Sequence, residues 1–534
     1  MPAALKSVEG YSNLNTVFPN VKELLGLKDA SNVWLSHVID RIDCSGTPGT
    51  CHVTVSGEKL RAYMKTTHLL NPIQWIQGHY GRKNRQARKL ADPWNQAYID
   101  AIACYFVGRL HAAGVSPHFN AFYGAFTATA ANYSYNLTDD FDSYRHSKWF
   151  WAGQKEGIYK LSVVNEDASG TVPEDVLKDI FTEFDDDSES DDESGESVDS
   201  EEESDEGGSE EDSEGSEESE GSEESEDGSL STEEIPVEPV EFDAASLKSE
   251  GMSEKSFASG SDTEGDYRIL CDISNYPVMM IITEENKGTM DALLDNFAEV
   301  GAKPGTPEWE VRWSAWIFQV VAALSVAQEL LGMTHNDLHT NNIVWSATEE
   351  EFLYYKRRDG SAFKVPTFGK MFRIIDFGRA IFTVNGRMLV SDDFRSHNDA
   401  GGQYRFKPLY KNVRNPVMPN PSFDLCRLSV SLFQALFPET PKTEEEILSS
   451  EEGLTVLKTE SPLYNVLWKW LVDDDGENVL INPDGSERYP DFYLYKHIAA
   501  YVHTAVPREQ FVEPAFDRFQ VNPSEVGKAW SLFC

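Results

Sequence analysis

The sequence predicts an α+β fold of two lobes: a small β-rich N-terminal lobe and a larger, mainly helical C-terminal lobe, with a disordered acidic insertion in the first. Three observations carry this. Short β-branched runs between tight turns fill residues 32–67, helical periodicity runs from 93 and again from 308, and residues 185–234 are Ser/Asp/Glu/Gly low complexity.

The 534 residues suffice for two or three average domains, or for one two-lobed fold with insertions. Formal net charge is −44, but residues 185–234 hold 27 Asp or Glu and no Lys or Arg, which leaves −17 for the rest. A surface of that sign binds nucleic acid and anionic membranes poorly, so neither is expected as a direct partner. The six cysteines, Cys44, Cys51, Cys104, Cys271, Cys426 and Cys534, form no C-x-x-C pair, which fits free thiols in a reducing compartment and argues against a structural metal. Met1 to Lys6 lacks a basic head before an apolar core, so no secretory signal is read. The apolar stretch Trp316 to Gly332 contains Gln319, Gln328 and Glu329 and is short for a membrane span, so a buried helix is expected. A cytoplasmic or nuclear location follows.

In chain order, residues 1–30 carry a weak helical signal and read as a flexible lead. The first lobe spans 31–134, an insertion 135–270, a last strand and connector 271–287, and the helical lobe 288–534. Within 32–67, Ser45-Gly46-Thr47-Pro48-Gly49 and Ser56-Gly57 separate antiparallel strands, the last being Leu60 to Lys65. Arg82, Lys83, Arg85, Arg88 and Lys89 read as a solvated basic loop, with a phosphate or substrate contact as the alternative. Pro93 opens a helix with Ala97, Ile99, Ala101, Ile102, Tyr105, Phe106 and Leu110 inward, and Gly114 closes it. His118 to Thr127 reads as a strand, and Tyr276 to Thr283 as a buried one. The acidic tract buries too little apolar surface to offset its ordering entropy, and disorder is expected to reach about Asp266. A helix from Glu308 to Leu331 is capped by Gly332, and the rest is mostly helical by pattern, with turns at 473–488.

Two segments carry chemistry. His335-Asn336-Asp337-Leu338-His339-Thr340-Asn341-Asn342 follows a helix cap and precedes an apolar strand, so it lies on a loop. Phe372-Arg373-Ile374-Ile375-Asp376-Phe377-Gly378 reads as a buried strand ending in a carboxylate, with Gly378 permitting the turn after it. Phosphoryl transfer needs a carboxylate facing the incoming hydroxyl, oxygen ligands for Mg²⁺ on the β/γ phosphates of ATP, and a cation on the remaining phosphate charge. Asp337 suits the first task, and Asn342 and Asp376 the second. His335 and His339 complete the candidate catalytic group, His335 as a packing and hydrogen-bonding residue that shapes the loop.

These residues resemble the eukaryotic-type protein kinases, and in particular the serine/threonine kinases of large DNA viruses of algae and amoebae. The likeness extends through Phe352-Leu353-Tyr354-Tyr355-Lys356 and Lys364 to Lys370, covers roughly residues 55–130 and 275–510, and is densest at 330–430. It implies a protein-kinase-like fold, ATP and Mg²⁺ as cofactors, a protein Ser/Thr hydroxyl as acceptor, and a host cell or virion as location. It makes Lys65, in Ala62-Tyr63-Met64-Lys65, the phosphate-binding lysine. Tyr276 to Glu285 resembles the strand and hinge that hold adenine, with Ile282 near the gatekeeper position and Glu284 and Glu285 on the hinge. Asp424 resembles the carboxylate that props up the catalytic loop, with helix N-capping as its alternative.

The sequence departs from that pattern at several points. Gly46-Thr47-Pro48-Gly49 lacks the three-glycine pattern. The helix from Pro93 offers Lys65 no glutamate, only Gln96 or Asp100. His339 stands where most such kinases have lysine, a histidine shared with some atypical protein kinases and with small-molecule kinases of the same fold. Residues Glu349 to Lys370 enlarge the hairpin between the two segments, and Ala-Pro-Glu is missing after the second. An active kinase, a small-molecule kinase, and a scaffold whose acidic tract binds basic proteins are therefore all carried forward. Serines of the tract precede acidic residues and are expected targets of an acidophilic kinase.

Overall fold

The structure, a computed structural model, describes residues 5, 8–15, 39–44, 49–81, 84–165, 172–181, 267–396, 398–410, 413–448, 455–482 and 485–534. The acidic tract, Gly46 to Pro48, Arg82 and Lys83 lie outside the described residues.

The fold is mixed α/β. Seven antiparallel strands form the principal sheet: β1 (Tyr11–Asn15), β2 (Ile39–Asp43), β3 (Thr50–Val55), β4 (Glu58–His68), β5 (Phe122–Asn136), β6 (Lys160–Asn165) and β7 (Tyr267–Glu284). Their order is β1-β5-β7-β4-β3-β2, with β6 beside the first half of β7. One edge of β7 carries β5, and the other carries β6 at residues 267–272 and β4 at 278–284, with Asn275 at a positive φ of 54° between the two. Its second half then alternates strictly. Met279 and Ile281 pack into the core shared with the helices, while Val278, Met280 and Ile282 pack into a separate core on the opposite face.

The Gln96–Ala112 helix lies against β5 and β7. Asn95 caps it by accepting from Ala97 N–H. Gly108 allows the close approach, since a Cβ there would sit 2.6 Å from Phe122 Cβ. The Pro307–Leu331 helix is the core of the helical part. Thr306 caps its start and Gly332, at φ 53°, its end. By length and composition it could cross a membrane, yet 78% of its apolar window is buried within the fold. Buried Gln319 donates to Lys370 O and accepts from Phe372 N–H, which fixes the strand leading to Asp376.

A small sheet joins β8 (Gly288–Thr289), β9 (Ile343–Ala347) and β12 (Lys370–Ile374). The enlarged connection between β9 and β12 is itself a hairpin, β10 (Phe352–Lys356) with β11 (Ala362–Pro366), paired to Gln520–Val521 and Trp530–Ser531.

Several expectations need correcting. Tyr11–Asn15, read within a flexible lead, is a strand on the sheet edge. The region read as insertion begins as structure, with the Lys148–Lys155 helix and β6 packed on the sheet. β5 starts later than His118 and runs on to Asn136. The helical part carries more strand than its pattern suggested, including Ile381–Val384 with Arg387–Val390 and Thr443–Leu448 with Thr455–Thr459. Periodicity alone does not separate such short runs from helical turns.

Candidate active site

A cavity of about 420 Å³ lies between the principal sheet and β9. Tyr63 and Lys65 of β4, Ile281 and Thr283 of β7, Val344 of β9, and Asp376 and Phe377 line it. The β4–β7 register sets Lys65 opposite Ile281 and Met64 opposite Ile282. Because side chains alternate, Ile281 and Thr283 reach the cavity. Ile282, expected there, is fully buried in the opposite core.

Lys65 Nζ lies 2.7 Å from both Asp100 Oδ2 and Asp376 Oδ1. Of the two residues that the helix offers Lys65, Asp100 therefore makes the ion pair, while Gln96 packs on Gly378, where a Cβ would meet Gln96 Cγ at 3.2 Å. Asp100 Oδ1 also accepts from Phe377 N–H at 2.9 Å, tying the helix to the Asp376 segment. Burial pulls the Lys65 pKa down, but the two carboxylates outweigh it and raise it well above the ordinary value. Burial pushes Asp376 up, and Lys65 more than reverses that, to about 2. The positive φ in this segment belongs to Asp376 itself, at 64°, and not to Gly378. Gly378 is needed for space against Gln96 instead.

The catalytic-loop candidate hangs on Asp424. This fully buried carboxylate accepts from His335 N–H at 2.9 Å and Asn336 N–H at 2.8 Å, so it holds the loop rather than capping its own helix. Asn336, at φ 65°, donates to Thr334 O and Arg379 O and accepts from Tyr404 Oη. His335 is 1% exposed. Its Nε2 donates to Ile375 O at 2.8 Å, its Nδ1 accepts from Asp337 N–H, and its ring rests on Phe377. It is a positioning residue with both nitrogens engaged.

Asp337 Oδ1 accepts from Tyr495 Oη at 3.2 Å and lies 3.5 Å from Arg379. Burial pushes its carboxyl up, but Arg379, His339 and Arg427 together bring it below the ordinary range, so it is ionised near neutrality. Arg379 also binds Asp393 at 2.9 Å, so an internal carboxylate anchors the segment after Gly378. Asn342 donates to Asp337 O at 2.8 Å and lies 3.1 Å from His339 Nε2. With that nitrogen committed, its oxygen is the atom left for a cation.

Among the described residues, no three His, Cys, Asp or Glu gather as a metal group. One partly exposed carboxylate, Asp376, and one amide oxygen suit Mg²⁺, which takes few protein ligands and completes its shell with water and phosphate.

The hinge residues are placed differently from expectation. Glu284 turns to Arg373 at 3.2 Å, and its N–H is spent on Ala121 O. Glu285 pairs with Arg61 at 2.5 Å. Neither lines the cavity, whose wall there is Asn286, Lys287 and Gly288. The stretch expected as a basic loop is a helix over Arg85–Ala91, and its Lys89 is bound to buried Asp392, which also accepts from Gln96 N–H.

Sequence reasoning missed Tyr495, Arg379 and Asp393. Arg379 directly follows Asp376-Phe377-Gly378 and could have been weighed there, whereas nothing local marks Tyr495 or Asp393.

No protein-family model matches the chain, and no curated protein matches it. Among solved structures it is similar to a Plasmodium kinase domain, at 16% identity over 47% of this chain and 71% of that one. The TM-score is 0.19, too low to bear on fold or function.

Proposed function

We propose that the chain is an ATP-dependent phosphotransferase with a two-lobed protein-kinase-like fold, acting as a serine/threonine protein kinase. One observation carries this reading: Lys65 is held between Asp100 and Asp376 on the wall of a cavity whose size suits a nucleotide. Lys65 would take the phosphate charge. Asp376 and Asn342 would hold Mg²⁺, which supplies charge neutralisation on the β/γ phosphates. Asp337, kept ionised by Arg379, would orient the acceptor hydroxyl and receive its proton. Tyr495 and Arg379 hold Asp337, and Asp424 and His335 hold its loop.

A small-molecule acceptor is the second reading, favoured by His339 beside Asn342. Basic proteins remain the proposed partners of the acidic tract. The test is transfer of labelled γ-phosphate from Mg-ATP to mixed proteins, with Asp337→Asn as control. Labelling at least about a hundredfold above the control is expected. Wild-type labelling no greater than the control's sinks the protein-kinase reading, and labelling confined to small molecules selects the second.

A further inference from the structure

Two tyrosines tie separate segments to the loop of Asp337. Tyr404 donates to Asn336 Oδ1 at 2.7 Å, and Tyr495 donates to Asp337 Oδ1 at 3.2 Å. The residue after each is a cation, Arg405 and Lys496. The segments meet, since a Cβ on Gly402 would lie 3.4 Å from Lys496 Cε and 3.7 Å from Nζ. Lys496 Nζ rests against the rings of Phe492 and Tyr493. Burial first, and then the charge of Arg405, pull the Lys496 pKa below its ordinary value. Neither cation takes part in an ion pair among the described residues, in a chain with 90 Asp+Glu against 46 Lys+Arg. Two like charges held together on the segments that anchor the Asp337 loop are complemented by an anion.

We propose that Lys496 and Arg405 select the acceptor, a serine or threonine flanked by carboxylates in an acidic peptide segment. This inference deepens the phosphotransferase reading and rests on it. The hydroxyl oxygen forms the new P–O bond as the γ-phosphorus parts from the oxygen bridging it to the β-phosphate. ADP leaves, and the hydroxyl proton passes to Asp337. The cations hold the flanking carboxylates and repel basic segments, so they act on acceptor binding. The chain contains sequence of this class, since Ser209, Ser216 and Ser222 are each followed by two glutamates.

The full chain is assayed with labelled ATP on three synthetic peptides. One copies residues 207–226, one has every Glu and Asp changed to Gln and Asn, and one has them changed to Lys. The acidic peptide is expected to show a kcat/KM about tenfold above the neutral one, expressed in KM and shrinking as salt is raised. Lys496→Glu reverses the order of the acidic and lysine peptides, and Lys496→Arg keeps it. If Lys496→Glu does not fold, Arg405→Glu carries the same expectation. Equal kcat/KM across the peptides, or an acidic preference that survives the charge reversal, overturns the inference and leaves the kinase reading standing. Labelling of every peptide no greater than with Asp337→Asn overturns the protein-kinase reading and this inference with it.

Discussion

Asp100→Asn is the most direct probe of the site. Asp100 is 2% exposed and serves Lys65 Nζ at 2.7 Å, Phe377 N–H at 2.9 Å and Cys104 Sγ at 3.5 Å. Asparagine keeps the volume and an oxygen for Phe377 but removes the charge. Breaking a fully buried ion pair costs about 3–5 kcal/mol. Lys65, however, is 31% exposed and retains Asp376 at 2.7 Å, so a stability loss of about 1 kcal/mol is expected after solvent screening. For a chain of 534 residues that corresponds to a fall in Tm of about 1 °C. The larger effect is on catalysis. Without Asp100, Lys65 pairs with Asp376 alone and takes up the carboxylate assigned to Mg²⁺. A loss of about 2–3 kcal/mol of transition-state stabilisation corresponds to a roughly 30- to 150-fold fall in kcat. Initial rates at saturating Mg-ATP, beside a thermal melt and a Lys65→Met control, measure both. If Asp100→Asn keeps kcat within about threefold of wild type while Lys65→Met is inert, Asp100 only anchors Phe377 and the reasoning fails.

Asp424→Ala strands two buried N–H groups of the loop, so urea unfolding should show a loss of about 3–5 kcal/mol, with Asp424→Asn milder because one acceptor remains. Thr283→Trp should raise the KM for ATP by about tenfold or more by filling the cavity. Ile282→Ala, in the opposite core, should cost about 2–5 kcal/mol of stability with the KM for ATP unmoved; a KM shift there would place Ile282 back on the cavity. His118 is 1% exposed, donates to Phe372 O and accepts from Tyr355 Oη; burial first, against that carbonyl bond, lowers its pKa to about 3. A depressed folded pKa means that the unfolded chain binds the proton more tightly, so this stability is present above about pH 6.5 and is lost as pH falls towards 3. Between pH 6.5 and 5 the loss should be about 2 kcal/mol, and His118→Gln should flatten that part of the pH–stability curve.

Much of the site was legible because its chemistry is local. Asp337 and Asn342 sit on one loop, Asp376 ends one strand, and apolar runs flank both, so residue type and spacing were enough to nominate them. What composition and spacing left unread depends on register and long-range pairing. Ile282 and Ile281 are chemically alike, and only the pairing of β7 with β4 decides which reaches the cavity. Glu284 and Glu285 lie at the right place in the chain, but Arg373, 89 residues after Glu284, and Arg61, far before it, claim their side chains. By residue type the turn in Asp376-Phe377-Gly378 belongs at its glycine, the residue that most easily adopts left-handed backbone. The chain instead places it at Asp376, where the Lys65 ion pair and the β12 strand hold the geometry.

The aspartate at position 100 also explains the packing of its helix. An aspartate side chain has a short reach, so the helix has to lie close for the Asp100 carboxylate to sit 2.7 Å from Lys65 Nζ. The sequence supplies the means on the buried side. Ala97, Ala101 and Ala103 are small and almost fully buried, and Gly108 has no room for a Cβ beside Phe122. At the helix start, Asp392 accepts from Gln96 N–H and binds Lys89, so the segment after Gly378 holds the helix from its other end. Close packing and the short acid thus serve the same ion pair. Larger residues on that face would separate Asp100 from Lys65 before they disrupted the helix itself.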